Sequence, residues 1–272
     1  MVGGHVASIT TDQGIVHYEV YGKGRPVILL HGWLGSWGLW QQTMTTLGGS
    51  YRTYALDFWG FGESGRKRNA YAVQDFVNLV DQFMERLGIV SAPLVGHSMG
   101  GTVSLSVAIQ YPERAEKVIV IGSPIVGSSL ALALKLAGFR ANAFALFYMF
   151  GLFRQFMLKI GSPMICRDPD FPAMMDRDLS QTTLNSFLSS IASLRKTDLR
   201  PMLGQIQVPV MGMYGEKDNI VHPNQWKAIK DNLPLARIER YPHAGHFIML
   251  DEPEDCVGKI KEFLDSPTRG VI

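Results

Sequence analysis

Apolar and polar positions alternate in two rhythms along this chain. Four short runs are apolar at nearly every position: PVILLHG (26–32), APLVGHS (92–98), KVIVIG (117–122) and VPVMGMYG (208–215). Such runs read as strands of a sheet covered on both faces. GIVHYEVYG (14–22), RTYALD (52–57) and ARIERYP (236–242) read as further strands. Between them, Val73, Phe76, Val77, Val80, Phe83, Met84 and Leu87 fall on one face of an amphipathic helix that Gly88 should stop. A second helix should run from Met99 to about Gln110 and end before Pro112. A third falls near 224–233, and a last one carries Val257, Ile260, Phe263 and Leu264. Strand–helix–strand alternation predicts an α/β fold, a mostly parallel central sheet flanked by helices.

From about Pro124 to Gln205 the rhythm breaks. LALALKLAGF, a Phe-rich segment, a Pro/Asp loop (RDPDFPAMMDRD) and the helix-like TTLNSFLSSIASLRK follow one another without a strand pattern. The prediction is one domain made of 1–123 and 206–272, interrupted by a helical cap at 124–205. Within the cap, the apolar stretch from Ala141 to Phe153 is closed by Arg140 and Arg154. It is shorter than the roughly 20 residues a membrane span needs, so a buried or lid helix is expected instead.

Composition narrows the function classes. An apolar fraction of 46% with 18% charged residues fits a globular protein with a large core. The 26 basic and 24 acidic side chains form no basic stripe, which argues against a nucleic-acid partner. Cys166 and Cys256 lie in no CxxC or Cys/His cluster, so neither a disulfide framework nor a structural zinc site is expected. Asp168, Asp170, Asp176 and Asp178 lack the spacing of a calcium loop and read as solvated. The amino terminus, MVGGHVASIT, lacks the basic segment and apolar core of a secretory signal, so a cytoplasmic location without stable membrane insertion is expected.

The chemistry-bearing motif is Gly96-His97-Ser98-Met99-Gly100, a G-x-S-x-G between an apolar strand and a helix. A sharp strand-to-helix turn lifts the serine oxygen above the sheet, and glycines leave room for it. The free N–H groups at the start of the helix suit an anionic intermediate.

With LLHGWLGS (29–36) and DFWGFGES (57–64), the segment VGHSMGG resembles the α/β-hydrolase superfamily of esterases, lipases and relatives, over about residues 14–265. The resemblance implies a nucleophile at Ser98 and an oxyanion hole formed by the backbone N–H groups of Trp33 and Met99. It implies a scaffold role for His31 and a loop-shaping role for Asp57, which begins D-x-x-G-x-G-x-S. PHAGHFIMLDEP offers His243 and His246; the family's loop after the last strand selects His246 as base, leaving His243 to shape the loop or sit in the core. MYGEKDNIV offers Glu216 and Asp218, and the family pattern read from Gly215 selects Asp218 as the acid that orients the base. His17 reads as a surface or packing residue and His222 as a surface residue of the loop leading into the next helix.

The implied reaction is hydrolysis of a small-molecule carboxylic ester through an acyl-enzyme, with no metal or organic cofactor. Trp33, Phe144, Phe147 and Tyr148 would form an apolar substrate wall. Carbon–carbon bond hydrolases share the triad but typically carry Asn where this chain has His97. Thioesterases, perhydrolases and slow-turnover small-molecule sensors match equally well at the motif level. Epoxide hydrolases and haloalkane dehalogenases need an aspartate where Ser98 stands.

Overall fold

The computed structural model describes residues 5–66, 70–131 and 165–267. Eight strands form one sheet: β1 (His5–Thr11), β2 (Gly14–Gly22), β3 (Arg25–Leu30), β4 (Tyr51–Leu56), β5 (Ala92–His97), β6 (Ala115–Ile121), β7 (Val210–Gly215) and β8 (Arg237–Tyr241). Their spatial order is β1-β2-β4-β3-β5-β6-β7-β8. The β1–β2 and β2–β4 pairs are antiparallel and every other pair is parallel.

The near-continuous apolar runs have the predicted cause. In β3, Ile28 and Leu30 enter one core cluster while Val27 and Leu29 enter the other. The same split separates Val118 and Val120 from Ile119 and Ile121 in β6, because alternate side chains leave opposite faces of a strand. Helices α2 (Val73–Arg86) and α3 (Met99–Gln110) cover the first face. Helix α1 (Gln41–Leu47) and the C-terminal helix Pro253–Asp265 contribute to the second. Lys117, only 2% exposed, leaves β6 on that side, and its Nζ donates to the carbonyls of Phe263 (2.7 Å) and Leu264 (2.9 Å). A cation there satisfies the orphan carbonyls of the last helical turn.

Two parts differ from the sequence reading. β1 and α1 were not predicted. β1 is an edge strand whose side chains gave only a weak alternation, and α1 (QQTMTTL) is rich in β-branched Thr and is held by burial of Met44 and Leu47. From Phe171 onward the expected Pro/Asp loop is in fact a helix, α4 (Phe171–Gln181), with Pro172 in its first turn, where a missing N–H costs nothing. It is followed by α5 (Leu184–Lys196), whose cap Thr183 Oγ1 accepts from the Ser186 amide at 3.1 Å. The chain then passes through α6 (Gln225–Asn232), α7 (Ile248–Asp251) and α8 (Pro253–Asp265). The carboxyl ends of β3, β5, β7 and β8 open on one edge of the sheet, where ligands of open α/β sheets bind. No described helix is long and apolar enough to cross a membrane.

Candidate active site

β5 ends at His97 and α3 begins at Met99, so Ser98 alone carries the reversal, at φ 51° and ψ −118°. Only Leu34 shares a positive φ among the described non-glycine residues. Neighbouring glycines make the strained turn possible. A Cβ at Gly96 would run into the backbone of Gly100 and Gly101, and one at Gly100 into the carbonyls of Leu30 and His31, all closer than 3.0 Å. The Ser98 amide donates to the Ile121 carbonyl at 2.8 Å, which locks the turn to β6. Such a conformation persists only where the surroundings over-determine it.

His246 follows β8 on a loop that two contacts fix: the Lys217 amide donates to the Ala244 carbonyl (3.1 Å), and the Gly245 amide to Asp251 Oδ2 (2.8 Å). Its ring is buried and packs over Gly122, where a Cβ would come within 3.2 Å of Nδ1. Asp218, one turn beyond β7, accepts from the Ile220 and Val221 amides on Oδ1 (2.8 and 2.9 Å) and faces His246 Nδ1 with Oδ2 at 2.7 Å. A carboxylate so placed puts the imidazole proton on Nδ1 and leaves Nε2 as the acceptor. Ser98 and His246 line one cavity, with no hydrogen bond between their side chains. Such bonds often form only around substrate.

The Trp33 loop has its own bracing. His31, fully buried, accepts the Phe58 amide on Nε2 (2.9 Å) and faces the Gly32 carbonyl with Nδ1 (2.7 Å). Burial lowers its pKa, so the ring stays neutral and Nδ1 is the donor. The Gly35 amide donates to the same Gly32 carbonyl at 3.1 Å across a turn that holds Leu34 at φ 62°. In a planar trans peptide, fixing that carbonyl turns the Trp33 N–H the opposite way. Neither the Trp33 nor the Met99 amide has a partner among the described residues, so both remain available to an anion. Asp57, fully buried, accepts from the Trp37 amide (2.6 Å), the Glu63 amide (2.9 Å) and His17 Nδ1 (2.9 Å). Gly62, at φ 50°, makes room for that carboxylate.

Among the other residues singled out from the sequence, Trp33 lines the cavity, and its Nε1 donates to the Phe187 carbonyl at 3.3 Å. Phe144, Phe147 and Tyr148 lie outside the described residues. Glu216 is exposed and pairs with Arg240 at 2.7 Å. His222 and His243 are exposed, so His243 is neither a core residue nor within the site. His17, in contrast, is buried. Asp178, expected in solvent, is only 2% exposed and lines the cavity. His97 has a role the sequence did not suggest. Its Nε2 donates to the His246 carbonyl at 3.1 Å and its ring lies 4.7 Å from that of His246, so it holds the loop that carries His246. Burial, with the neighbouring His246, keeps its pKa well below the usual imidazole range. No group of side chains suited to a metal ion occurs among the described residues.

Sequence comparison matches residues 25–182 and 172–253 to the family described as alpha/beta hydrolase fold. The chain belongs to the α/β hydrolases. The hydrolase is 24% identical to a pimeloyl-[acyl-carrier protein] methyl ester esterase of Vibrio campbellii, over 91% of this chain and 98% of that one. It is 28% identical to a 2-hydroxy-6-oxo-6-phenylhexa-2,4-dienoate hydrolase of Burkholderia cepacia, over 88% of this chain and 87% of that one. Among solved structures it superposes on an esterase of Exiguobacterium antarcticum with a TM-score of 0.79 at 22% identity. That match covers 97% of this chain and all of the other.

Proposed function

We propose that this hydrolase cleaves carboxylic esters with an apolar acyl or aromatic part through an acyl-enzyme on Ser98. The carrying observation is the orientation of His246: with Nδ1 held by Asp218 at 2.7 Å, its basic Nε2 is left for the cavity that Ser98 lines. Ser98 Oγ attacks the ester carbonyl while His246 takes its proton. The Trp33 and Met99 amides receive the oxyanion, and His246 returns the proton to the leaving alkoxide, which departs as the alcohol. Water, deprotonated by the same imidazole, then attacks the acyl-serine; the acid leaves and Oγ regains its proton.

The walls support an apolar substrate. Trp33, Leu39, Phe171, Met174, Ile191 and Phe247 surround the serine, and α4 and α5 form the described part of a cap over it. The esterase named among the relatives agrees with this reading, and His97, where carbon–carbon bond hydrolases typically carry Asn, favours it over that reaction.

A fluorophosphonate probe should modify one residue, Ser98, and Ser98→Ala should lose at least about 10³ of p-nitrophenyl ester turnover with an unchanged circular dichroism spectrum. Near wild-type turnover in that variant would remove Ser98 from the mechanism. Acetate hydrolysed as fast as octanoate would remove the apolar acyl site.

A further inference from the structure

Two spaces meet at α4. One is the cavity beside Ser98, of about 120 Å³. The other is a surface groove of about 500 Å³ between α1 and α4, with Gln42, Thr45 and Arg177 among its walls. Among the described residues, Leu39, Phe171 and Met174 alone line both, so they stand between the two.

Helical geometry sorts the side chains of α4 between these spaces. Ala173 and Arg177, four apart and therefore on one face, line the groove and not the cavity. Met175 and Asp178 line the cavity and not the groove. With 3.6 residues per turn, Met174 falls about 60° from Arg177 and about 40° from Asp178, on the border of the two faces.

The other members of this border are fixed. Leu39 is buried in the core on the second face of the sheet, and the buried Phe171 ring lies 4.7 Å from that of Phe247. The helix itself is pinned, because Asp178 Oδ1 accepts from Ser36 Oγ at 2.8 Å and from Arg177 Nε at 3.3 Å. Met174 is only partly buried, and its unbranched thioether chain adapts to what it meets. Apolar cavities of about 150 Å³ admit benzene, so about 120 Å³ suits a group of about six carbons.

We propose that Met174 is a specificity-determining residue: with Leu39 and Phe171 it closes the cavity against the groove and sets the length of apolar chain that a substrate can bury beside Ser98. The proposal rests on the reading of this cavity as the ester site. Simple packing of α4 against its neighbours would also bury these three side chains. Packing alone predicts a loss of stability on truncation and no change in the chain length preferred.

The test reads binding without turnover, by isothermal titration calorimetry of the wild-type enzyme with 1-alkanols from butanol to decanol. Each added carbon should tighten binding about threefold to fourfold until the chain meets the border, between about five and eight carbons, and less than about 1.5-fold beyond it. Met174→Ala removes three heavy atoms from the border and should move the break outward by at least two carbons. Leu250 lines the groove and not the cavity, so Leu250→Ala should leave the break in place. If circular dichroism shows that Met174→Ala does not fold, Met174→Phe decides instead, and its break should move inward by at least one carbon. A wild-type series with no break overturns the proposal. So does a break that the deciding variant leaves in place or moves the opposite way, or one that Leu250→Ala moves equally far. A wild-type enzyme inactive on all esters would refute the proposed reaction, while the alkanol series still decides whether Met174 limits the cavity.

Discussion

His17 Nδ1 and Asp57 Oδ2 lie 2.9 Å apart in a buried site, forming a second imidazole–carboxylate pair beside the loop that carries Trp33. Asp57 also holds the Trp37 amide, so the pair bears on the geometry of the Trp33 loop although neither residue lines the cavity. Burial disfavours the imidazolium, yet the Asp57 hydrogen bond and the charges of Asp57, Glu63 and Glu19 outweigh it and raise the pKa of His17.

A raised histidine pKa stabilises the fold fully below the unfolded value of about 6.5, and that stability is lost as pH rises through the folded value. His17→Gln should therefore lower Tm relative to wild type by about 2–6 °C at pH 5.5, with a smaller gap at pH 9. Paired thermal melts decide it. A gap that widens with pH would mean that His17 is neutral in the folded state.

Asp218 presents only acceptors to His246, so replacing it with Asn puts a donor where Nδ1–H must donate, or forces the other tautomer. Asp218→Asn should lower kcat by about 10²–10⁴ with KM changed less than about threefold. Initial-rate kinetics at pH 8 measure both. A loss below tenfold would show that another group orients the imidazole.

Gly100 and Gly258 should respond in opposite directions to alanine. At Gly100 the new Cβ meets the Leu30 and His31 carbonyls, which cannot yield without moving the Ser98 turn. Gly258 lies exposed inside α8 with nothing within 4 Å of its Cβ position. Gly100→Ala should cost about 1–3 kcal/mol and most of the activity, and Gly258→Ala should add about 0.5–1 kcal/mol. Urea unfolding of both variants measures the contrast, and equal effects would undo the argument from space.

What the sequence made legible, and what it hid, separates by contact range. Strands β3, β5, β6 and β7 could be read because each is covered on both faces, which leaves a dense apolar run. Ser98, Asp218 and His246 each follow a readable strand, so their placement at one sheet edge was predictable from order alone. The hidden features depend on partners far away in the chain. His17 and Asp57 are 40 residues apart, and Ser36 and Asp178 are 142 apart. The burial of Asp178 follows from the phase of α4, and Pro172 disguised that helix as a loop. A strong cue was available in hindsight: Phe171, Met174, Met175 and Asp178 recur at helical spacing, and all four line the cavity.

Asp178 should leave a signature in stability. Its carboxyl, raised by burial from 3.8 to about 6, holds a proton in the folded state that the unfolded chain has released. Between about pH 4 and 6 the folded state therefore binds more protons than the unfolded one, and this group makes stability fall as pH rises. The cost is complete above about pH 6 and absent below about pH 4. Asp178→Asn keeps an acceptor for Ser36 and removes the charge, so it should melt about 2–6 °C above wild type at pH 8, with the difference shrinking toward zero at pH 4. Differential scanning calorimetry across that range measures it. If the Asn variant melts below wild type at pH 8, the bonds to Ser36 and Arg177 outweigh the burial of the charge, and the carboxylate is a net stabiliser of the fold.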